Sequence, residues 1–359
     1  MQICFELSGE DQTLPPREVC AVLRAEAIEY HHSVEYPGVL IVEVCDDCKE
    51  RLGRVGERLA MTHAIHQVIT TTPPLGEESI EKVIESIKDA DLSELIESEQ
   101  TYSVRVRYAR NPGDNSRSSR SSRSSRRALP QLEAAIGGIV KRHGSRVDLK
   151  TPDLPFKLLL TPEIGIFTIT LYTVDRSSFE DRKPQKRPFF HPGVLMPRIA
   201  RALVNLAEVK QGDLLLDPFC GTGGILIEAG LLGARVIGSD IQRRIIRGAE
   251  TNLSHYLNDH TLIYQDAANL SLRDKSLDAV ITDPPYGRSA RIKGKRSEKL
   301  VEETLTEVHR VLKERKKAVI AYNKPIIDLI LNTGLTVSEC HVQRVHRSLN
   351  RYIHVAEKP

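Results

Sequence analysis

The sequence predicts an α/β protein in which a Rossmann-like, doubly wound domain follows smaller α+β modules. Three observations support this fold class. From Asp213 onward, short apolar strands and helices alternate at the spacing of βαβ units, which favours a parallel sheet. Upstream of that point the alternation is shorter and less regular, as in a ferredoxin-like module. The length of 359 residues also exceeds that of one ordinary domain.

Composition and charge narrow the class of protein. Hydrophobic residues make up 40% of the chain and charged residues 28%, which is typical of a soluble globular protein. No apolar run reaches membrane-spanning length and no leader pattern opens the chain, so we expect a cytoplasmic protein without membrane contact. The net charge is only +3, but residues 77–99 hold nine acidic residues and residues 105–127 hold eight arginines. This asymmetry indicates one basic face, with two solvated surfaces of opposite sign as the alternative.

The first 72 residues are predicted to form a ferredoxin-like α+β module. Their apolar runs indicate a strand, a helix, a second strand and a second helix: Ile3–Leu7, Pro15–Tyr30, Gly38–Val44 and Arg51–Val68. The two prolines at residues 15–16 suit the first turn of a helix. A run of threonines and prolines at residues 70–74 then breaks the pattern and ends the module.

One cysteine pair raises the question of a metal site. Cys45 and Cys48 form a CxxC pattern, and His63 and His66 follow it as in a zinc finger. The two histidines are separated by only two residues, below the usual spacing of three to five, and the intervening segment Glu50–Met61 has the pattern of an ordinary amphipathic helix. We therefore expect no metal. A disulfide between the two cysteines would indicate an oxidising or hyperthermophilic setting.

Residues 73–174 are predicted to form a second α+β module. Two helices and four strands are expected: Ser79–Ala90, Leu129–His143, Tyr102–Tyr108, Arg146–Leu149, Phe156–Leu160 and Ile164–Tyr172. In the first of these strands, Val104 and Val106 alternate with Arg105 and Arg107, so the arginines face away from the core. Residues 111–127 contain a Ser-Ser-Arg repeat without an apolar residue, and we expect this insertion to be disordered.

Residues 175–190, rich in Arg, Lys and Pro, are predicted to be a linker, and residues 191–359 the Rossmann-like domain. Its predicted parallel part contains four helices and five strands. These are Val194–Ala207, Leu214–Leu216, Ile225–Leu232, Arg235–Ser239, Arg243–Leu257, Leu262–Tyr264, Leu277–Thr282, Lys299–Lys313 and Lys317–Tyr322. The tail predicts two antiparallel edge strands, Thr336–Val345 and Tyr352–Glu357.

A glycine-rich loop follows the first strand of this domain. Its sequence, DPFCGTGG at residues 217–224, has the glycines of a close ligand approach but neither the Lys-Ser/Thr pair of a phosphate loop nor the G-x-G-x-x-G spacing of a dinucleotide loop. Asp217 would repel pyrophosphate and suits a cationic sulfonium with its α-amino group. Asp240 ends the next strand, where a carboxylate can bind two ribose hydroxyls, and Asp266 ends the third, where it can accept from an adenine amine. Together these carboxylates predict a site for S-adenosylmethionine.

The segment TDPPYG at residues 282–287 ends the fourth strand at the same predicted edge. An oxygen of Asp283 and the Pro284 carbonyl can accept the two N–H bonds of an exocyclic amine, which favours a more nucleophilic nitrogen. Tyr286 can stack on the base. Residues 283–287, which we call the acceptor corner, contain no cysteine, and this argues against methylation of a pyrimidine carbon. Cys220 is expected to line the cofactor loop. N2 of guanine and N6 of adenine suit these residues equally, and a non-catalytic RNA-binding protein is a third possibility.

These motifs carry a family resemblance. In order, DPFCGTGG, GSDI, YQDA and TDPPYG resemble the cofactor and catalytic motifs of Rossmann-fold amino-methyltransferases. The N-terminal half is similar to a THUMP domain preceded by a ferredoxin-like module, on the stretches TYSVRVRYAR and LEAAIGGIVKRHGSRVDLKTPD. With RPFFHPGVLMPRIARALVNLA between the halves, the whole chain resembles archaeal THUMP-domain tRNA (guanine-N2) methyltransferases acting on guanosine 10. The Ser-Ser-Arg insertion departs from a typical THUMP domain.

The resemblance implies transfer of one or two methyl groups from S-adenosylmethionine to guanine N2 in tRNA, by a monomer or with a small activating subunit. The candidate cofactor-binding residues in these motifs are Asp217, Phe219, Gly221, Thr222, Gly223, Asp240, Ile241, Asp266 and Ala267. The resemblance also implies that the THUMP region binds the acceptor end of tRNA. Candidate phosphate contacts are Arg105, Arg107, Lys141, Arg142, Arg146 and Arg288, and for each an ordinary surface cation is the alternative. We expect the basic loop that begins at Arg288 to become ordered on RNA.

Overall fold

A computed structural model describes residues 1–75, 80–93, 95–97, 99–110, 123–141, 144–285, 295–346 and 349–359 of the chain. These residues form two compact units. The first contains Met1–Pro16, Ile28–Glu57 and Met61–Val174. The second contains Asp175–Pro359 together with two short upstream segments, Arg17–Ala27 and Arg58–Ala60.

Residues 1–174 contain eight strands and four helices among the described residues. In chain order these are β1 (Gln2–Leu7), α1 (Leu14–Ala25), β2 (Tyr30–Tyr36), β3 (Val39–Val44), α2 (Leu52–Arg58), β4 (Thr62–Thr72), α3 (Ile80–Lys88), β5 (Thr101–Tyr108), α4 (Arg123–Lys141), β6 (Arg146–Val147), β7 (Leu154–Leu160) and β8 (Gly165–Thr173). All eight strands join one sheet in the order β2-β3-β1-β4-β8-β7-β5-β6. The sheet is continuous across residue 72, the predicted boundary between two modules, because β4 pairs with β8 from Ala64 opposite Thr173 to Thr72 opposite Gly165.

The predicted helix Arg51–Val68 is wrong in its second half. Helix α2 ends at Arg58, and Thr62–Thr72 is a strand. Two physical features explain the difference. Gly53 and Gly56 weaken a helix, and β-branched residues dominate from Ile65 onward. In addition, a Cβ on Gly56 would lie 2.1 Å from the Tyr172 ring, so α2 packs closely on β8. Helix α1 also ends earlier than predicted, and β2 was not predicted.

Opposite faces of this sheet differ in character. Helices α3 and α4 cover one face through a core that includes Val83, Leu132 and Phe156. The other face holds the carboxylate of Glu6, whose Oε2 lies 2.8 Å from Nζ of Lys157 and 3.4 Å from Nε2 of the buried His66. Burial opposes the charge of Glu6, but the hydrogen bond from His66 and the charge of Lys157 outweigh it and lower the pKa of Glu6 to about 2.

The CxxC cysteines and the nearby histidines do not converge. Cys45 and Cys48 are joined by a disulfide, while His63 and His66 lie on β4. Within the described ranges, no group of three or more His, Cys, Asp or Glu side chains is placed to hold a metal ion.

The candidate RNA contacts are spread over this unit and beyond it. Valines of β5 are buried and its arginines face outward, as predicted, with Arg105 half-buried and Arg107 exposed. Lys141 and Arg146 are exposed, whereas Arg142 and Arg288 lie outside the described residues. The insertion predicted to be disordered is helical from Arg123 onward, since α4 begins there, and residues 111–122 lie outside the described ranges. Arginine is a good helix former, which explains the earlier start.

The second unit contains a seven-stranded sheet. Its elements are α5 (Ser177–Asp181), α6 (Pro197–Leu206), β9 (Leu214–Asp217), α7 (Gly224–Gly230), β10 (Arg235–Asp240), α8 (Arg243–Tyr256), β11 (Thr261–Tyr264), β12 (Leu277–Thr282), α9 (Lys295–Val311), β13 (Leu312–Tyr322), α10 (Ile327–Asn332), β14 (Thr336–His346) and β15 (Leu349–Glu357). The order is β11-β10-β9-β12-β13-β15-β14. The first five strands are parallel, and β15 and β14 add an antiparallel edge. The prediction of an α/β chain with a Rossmann-like, doubly wound sheet is confirmed, and the strand order reverses between β9 and β12.

The predicted linker is a packed part of this second unit. Residues 175–190 contain α5, and Phe179 and Arg187 are buried. Arg182 binds both carboxylate oxygens of Glu228, at 2.8 and 3.2 Å, and Arg201 adds a contact of 2.9 Å. Several of the charged residues that suggested a solvated segment therefore form ion pairs.

Most of α1 lies in the upstream segment Arg17–Ala27, which is part of the second unit. Buried polar contacts hold it there. Glu18 accepts hydrogen bonds from Nδ2 of Asn205 at 2.8 Å and from the backbone N–H of Ala60 at 3.0 Å. Within the described residues, no helix combines the length and the apolar character that crossing a bilayer requires.

Candidate active site

Three carboxylates meet at the carboxyl edge of the second sheet. Gly238 of β10 lies opposite Asp217 of β9, and Val280 of β12 lies opposite Leu216. The register therefore brings Asp217, Asp240 and Asp283 to neighbouring strand ends, on either side of the point where the strand order reverses. This is the arrangement that the sequence predicted for the cofactor and acceptor residues.

Asp217 is the most deeply buried of the three, with 2% of its surface exposed. Its Oδ1 accepts a hydrogen bond from the Phe219 N–H at 3.1 Å. Burial raises the pKa of Asp217 to about 8, and the charges of Asp283 and Asp240 act in the same direction against the Phe219 and Thr282 hydrogen bonds. Within the described part of the chain, no lysine or arginine forms an ion pair with Asp217. The carboxylate is therefore poised to be stabilised by a cation that enters the site.

The glycine loop after β9 is held in a conformation that favours glycine. Gly221 and Gly223 have φ values of +52° and +83°. The Cys220 N–H donates to the Ser239 carbonyl at 2.9 Å, which ties the loop to β10. Burial raises the pKa of the Cys220 thiol well above its usual value, so this cysteine stays protonated and lines the loop.

The ribose and adenine candidates lie at the ends of β10 and β11. Asp240 is half-buried and accepts from the Gln242 N–H at 2.9 Å; burial raises its pKa, against the backbone hydrogen bonds it receives. Ile241 is exposed over 58% of its surface. Asp266 is exposed and accepts from the Ala268 N–H at 3.0 Å, beside the buried Ala267. An exposed apolar side chain directly after the Asp240 carboxylate suits a flat nucleoside.

Asn252, which was not among the predicted site residues, holds the glycine loop through hydrogen bonds. Asn252 of α8 is fully buried, and its Nδ2 donates to the carbonyls of Thr222 and Phe189, both at 3.0 Å. Its Oδ1 accepts from the Phe189 N–H at 2.8 Å. The only signal in the sequence was an asparagine on the apolar face of α8 beside Ala249 and Leu253.

Replacing Asn252 with alanine is expected to destabilise the protein by about 2–4 kcal/mol, because three backbone groups that are buried or partly buried lose their hydrogen-bond partner. We also expect S-adenosylmethionine affinity to fall by about tenfold, since Thr222 belongs to the loop (1.4 kcal/mol per tenfold). Chemical denaturation and calorimetric titration measure the two effects. Thr251→Ala is the matched control, because its exposed hydroxyl bonds only a carbonyl of its own helix. Equal stability of the two variants would contradict the proposed role of the Asn252 hydrogen bonds.

Of the predicted acceptor corner, the structure describes residues 283–285. Pro284 is buried, and the Asp283 side chain is 15% exposed, with its Oδ2 3.5 Å from Nη2 of Arg351 on β15. Arg351 was not among the predicted site residues, because its approach depends on the pairing of the C-terminal strands. Tyr286 lies outside the described residues.

The residues present fit S-adenosylmethionine. A buried carboxylate whose charge is disfavoured by its neighbours needs a cation, and the sulfonium and ammonium of this cofactor supply two. Asp217 and the loop at residues 219–223 would hold the methionine part, Asp240 the ribose, and Ile241, Asp266 and Ala267 the adenine.

Several known proteins are similar to this chain. The family described as RMKL-like, methyltransferase domain, matches residues 184–353. Over the full length of both chains, the protein is 36% identical to a tRNA (guanine(10)-N2)-dimethyltransferase of Methanothermobacter thermautotrophicus. It is 34% identical to the protein of the same name from Methanocaldococcus jannaschii, over 99% of each chain. The crystal structure of TrmN from Thermus thermophilus is similar in fold, with a TM-score of 0.54 and 17% identity over the full length of both chains.

Proposed function

The chain belongs to the family of tRNA (guanine(10)-N2)-dimethyltransferases, and from this premise we propose that it transfers methyl groups from S-adenosylmethionine to the exocyclic N2 of guanine 10 in tRNA. The convergence of Asp217 and Asp283 at the point where the strand order reverses is the observation that carries the proposal, because it brings a site for a cationic methyl donor next to a site for an amine. Family membership decides between guanine and adenine, which the acceptor corner alone does not distinguish.

In this proposal Asp283 and the Pro284 carbonyl accept the two N–H bonds of the amine and orient its lone pair toward the donor. S-adenosylmethionine supplies an electrophilic methyl group on a good leaving group. As the nitrogen forms its fourth bond it becomes cationic, and the Asp283 carboxylate stabilises that charge and accepts the departing proton. Tyr286 stacks on the extruded base, and the energy of extrusion, a few kcal/mol, comes from contacts elsewhere on the RNA.

The outward-facing cations of the first unit supply such contacts in the proposal. Arg105, Arg107, Lys141 and Arg146 would bind phosphates, and these contacts position the tRNA without reading its sequence. The predicted THUMP region would thereby select tRNA as the substrate. A monomer or a complex with a small activating subunit is compatible with this role.

A methyl-transfer assay tests the proposed function directly. Purified protein, S-adenosylmethionine with a labelled methyl group and unmodified tRNA are expected to yield N2-methylguanosine and N2,N2-dimethylguanosine after digestion to nucleosides. A transcript with adenosine at position 10 should accept no label. N6-methyladenosine as the product would contradict the guanine assignment, and absence of transfer with and without a cellular extract would contradict the enzyme itself.

A further inference from the structure

Arg351 reaches the acceptor corner from the antiparallel side of the second sheet. Its Nη2 lies 3.5 Å from Oδ2 of Asp283, although Arg351 is on β15 and Asp283 follows β12. Strand β13 separates β12 from β15, so the two backbones are about 10 Å apart. Only a long side chain can cross this distance.

The strand register explains how the Arg351 side chain passes the end of β13. Thr282 lies opposite Ile320 of β13, and Tyr322, the last residue of β13, lies opposite Tyr352 of β15. Arg351 therefore lies just beyond the carboxyl end of β13, where no strand backbone blocks its path to Asp283. The side chain passes over the end of the intervening strand toward the corner.

A second contact fixes the direction of the guanidinium. Nη1 of Arg351 donates to Oε1 of Gln343 at 2.8 Å, and Gln343 lies opposite Arg351 on β14. Arg351 is only 8% exposed, and an arginine keeps its charge when buried. With one side anchored on Gln343, the other side presents a fixed positive charge to Asp283.

We propose that Arg351 is a positioning residue for the methyl acceptor: it fixes the orientation of the Asp283 carboxylate and offsets the repulsion between Asp283 and Asp217. This inference rests on the proposed function. When Asp217 is ionised, as it would be beside a cationic cofactor, the charge of Asp283 opposes the charge of Asp217. The guanidinium of Arg351, 3.5 Å from Asp283, reduces that opposition. The C-terminal hairpin thereby becomes part of the acceptor site, with Gln343 as the anchor of Arg351.

Kinetics separate positioning from mere packing. Arg351→Gln is expected to lower kcat for methyl transfer about 10- to 100-fold with KM for tRNA and S-adenosylmethionine nearly unchanged, because a misplaced carboxylate affects the transfer step. Arg351→Lys should recover most of the loss, since it keeps the charge. The control is Arg344→Gln, an exposed position on the same hairpin, which should keep the wild-type kcat. An unchanged kcat in Arg351→Gln would overturn the inference while leaving the proposed function intact.

A thermal double-mutant cycle tests the pairing without an activity measurement. Arg351→Met is expected to lower Tm by several degrees in the wild-type background, because the partly buried Asp283 carboxylate loses its ion pair with the guanidinium. In an Asp283→Asn background the same change should lower Tm much less. Equal decreases in both backgrounds would show that Arg351 only packs the hairpin, and would overturn the inference even if the protein methylated no tRNA.

Discussion

Replacing Asp283 with asparagine is expected to reduce the rate of methyl transfer at least about a hundredfold, because the amine loses the anion that orients it and balances its developing charge. The substitution keeps the size of the side chain, so the corner with Pro284 stays in place. Binding of S-adenosylmethionine should change little or increase slightly, since one of the carboxylates that repel Asp217 is gone. Single-turnover transfer to tRNA measures the first effect and calorimetric titration the second.

The control for this variant is Asp328→Asn, which removes an exposed carboxylate at the start of α10. Its transfer rate and cofactor affinity should both equal those of the wild type. A rate within about threefold of wild type for Asp283→Asn would show that another group holds the amine, because a lost charged hydrogen bond has a larger effect.

The second large effect concerns Asp217. Its pKa is raised from 3.8 to about 8 in the folded protein, so the unfolded chain releases this proton at lower pH than the folded one. The resulting cost to stability is small near pH 4, grows as pH rises, and is constant above about pH 8. Asp217→Asn removes this cost and should stabilise the cofactor-free protein by on the order of 4 kcal/mol at pH 7.

The same substitution should abolish measurable binding of S-adenosylmethionine, because the buried carboxylate that faces its cationic groups is gone. In the wild type, affinity for the cofactor is expected to rise with pH up to about 8, where Asp217 is ionised. Thermal melts and titrations at several pH values between 5 and 9 measure both effects. Asp259→Asn, at an exposed position, should show neither. A melting temperature that falls in Asp217→Asn at every pH would contradict this account.

The Rossmann-like half was predictable because each strand is a short apolar run and each functional carboxylate follows one directly. In a parallel sheet all strand ends lie at one edge, so Asp217, Asp240 and Asp283 could be brought together from the sequence. The roles of Arg351 and Asn252 could not be predicted in this way. Their contacts depend on strand register and on helix docking, which are set by pairing between distant residues.

The structure of the N-terminal half was harder to predict from the sequence, for a related reason. Residues 62–72 have both a helical apolar spacing and a high content of β-branched residues, and their pairing with β8 decides in favour of a strand. The segment at 175–190 has the composition of a linker, but its Arg182 forms an ion pair with Glu228, a residue far along the chain. Local composition carries no information about such partners.

The continuous sheet of the first unit has an evolutionary consequence. Eight residues of β4 pair with eight of β8 across the predicted module boundary, and the ion pair between Glu6 and Lys157 joins the two sides again. Losing the first 72 residues would uncover an open strand edge and leave the Lys157 ammonium without Glu6. A lineage could therefore pass this half to another enzyme only by transferring the residues on both sides of position 72 in one recombination event.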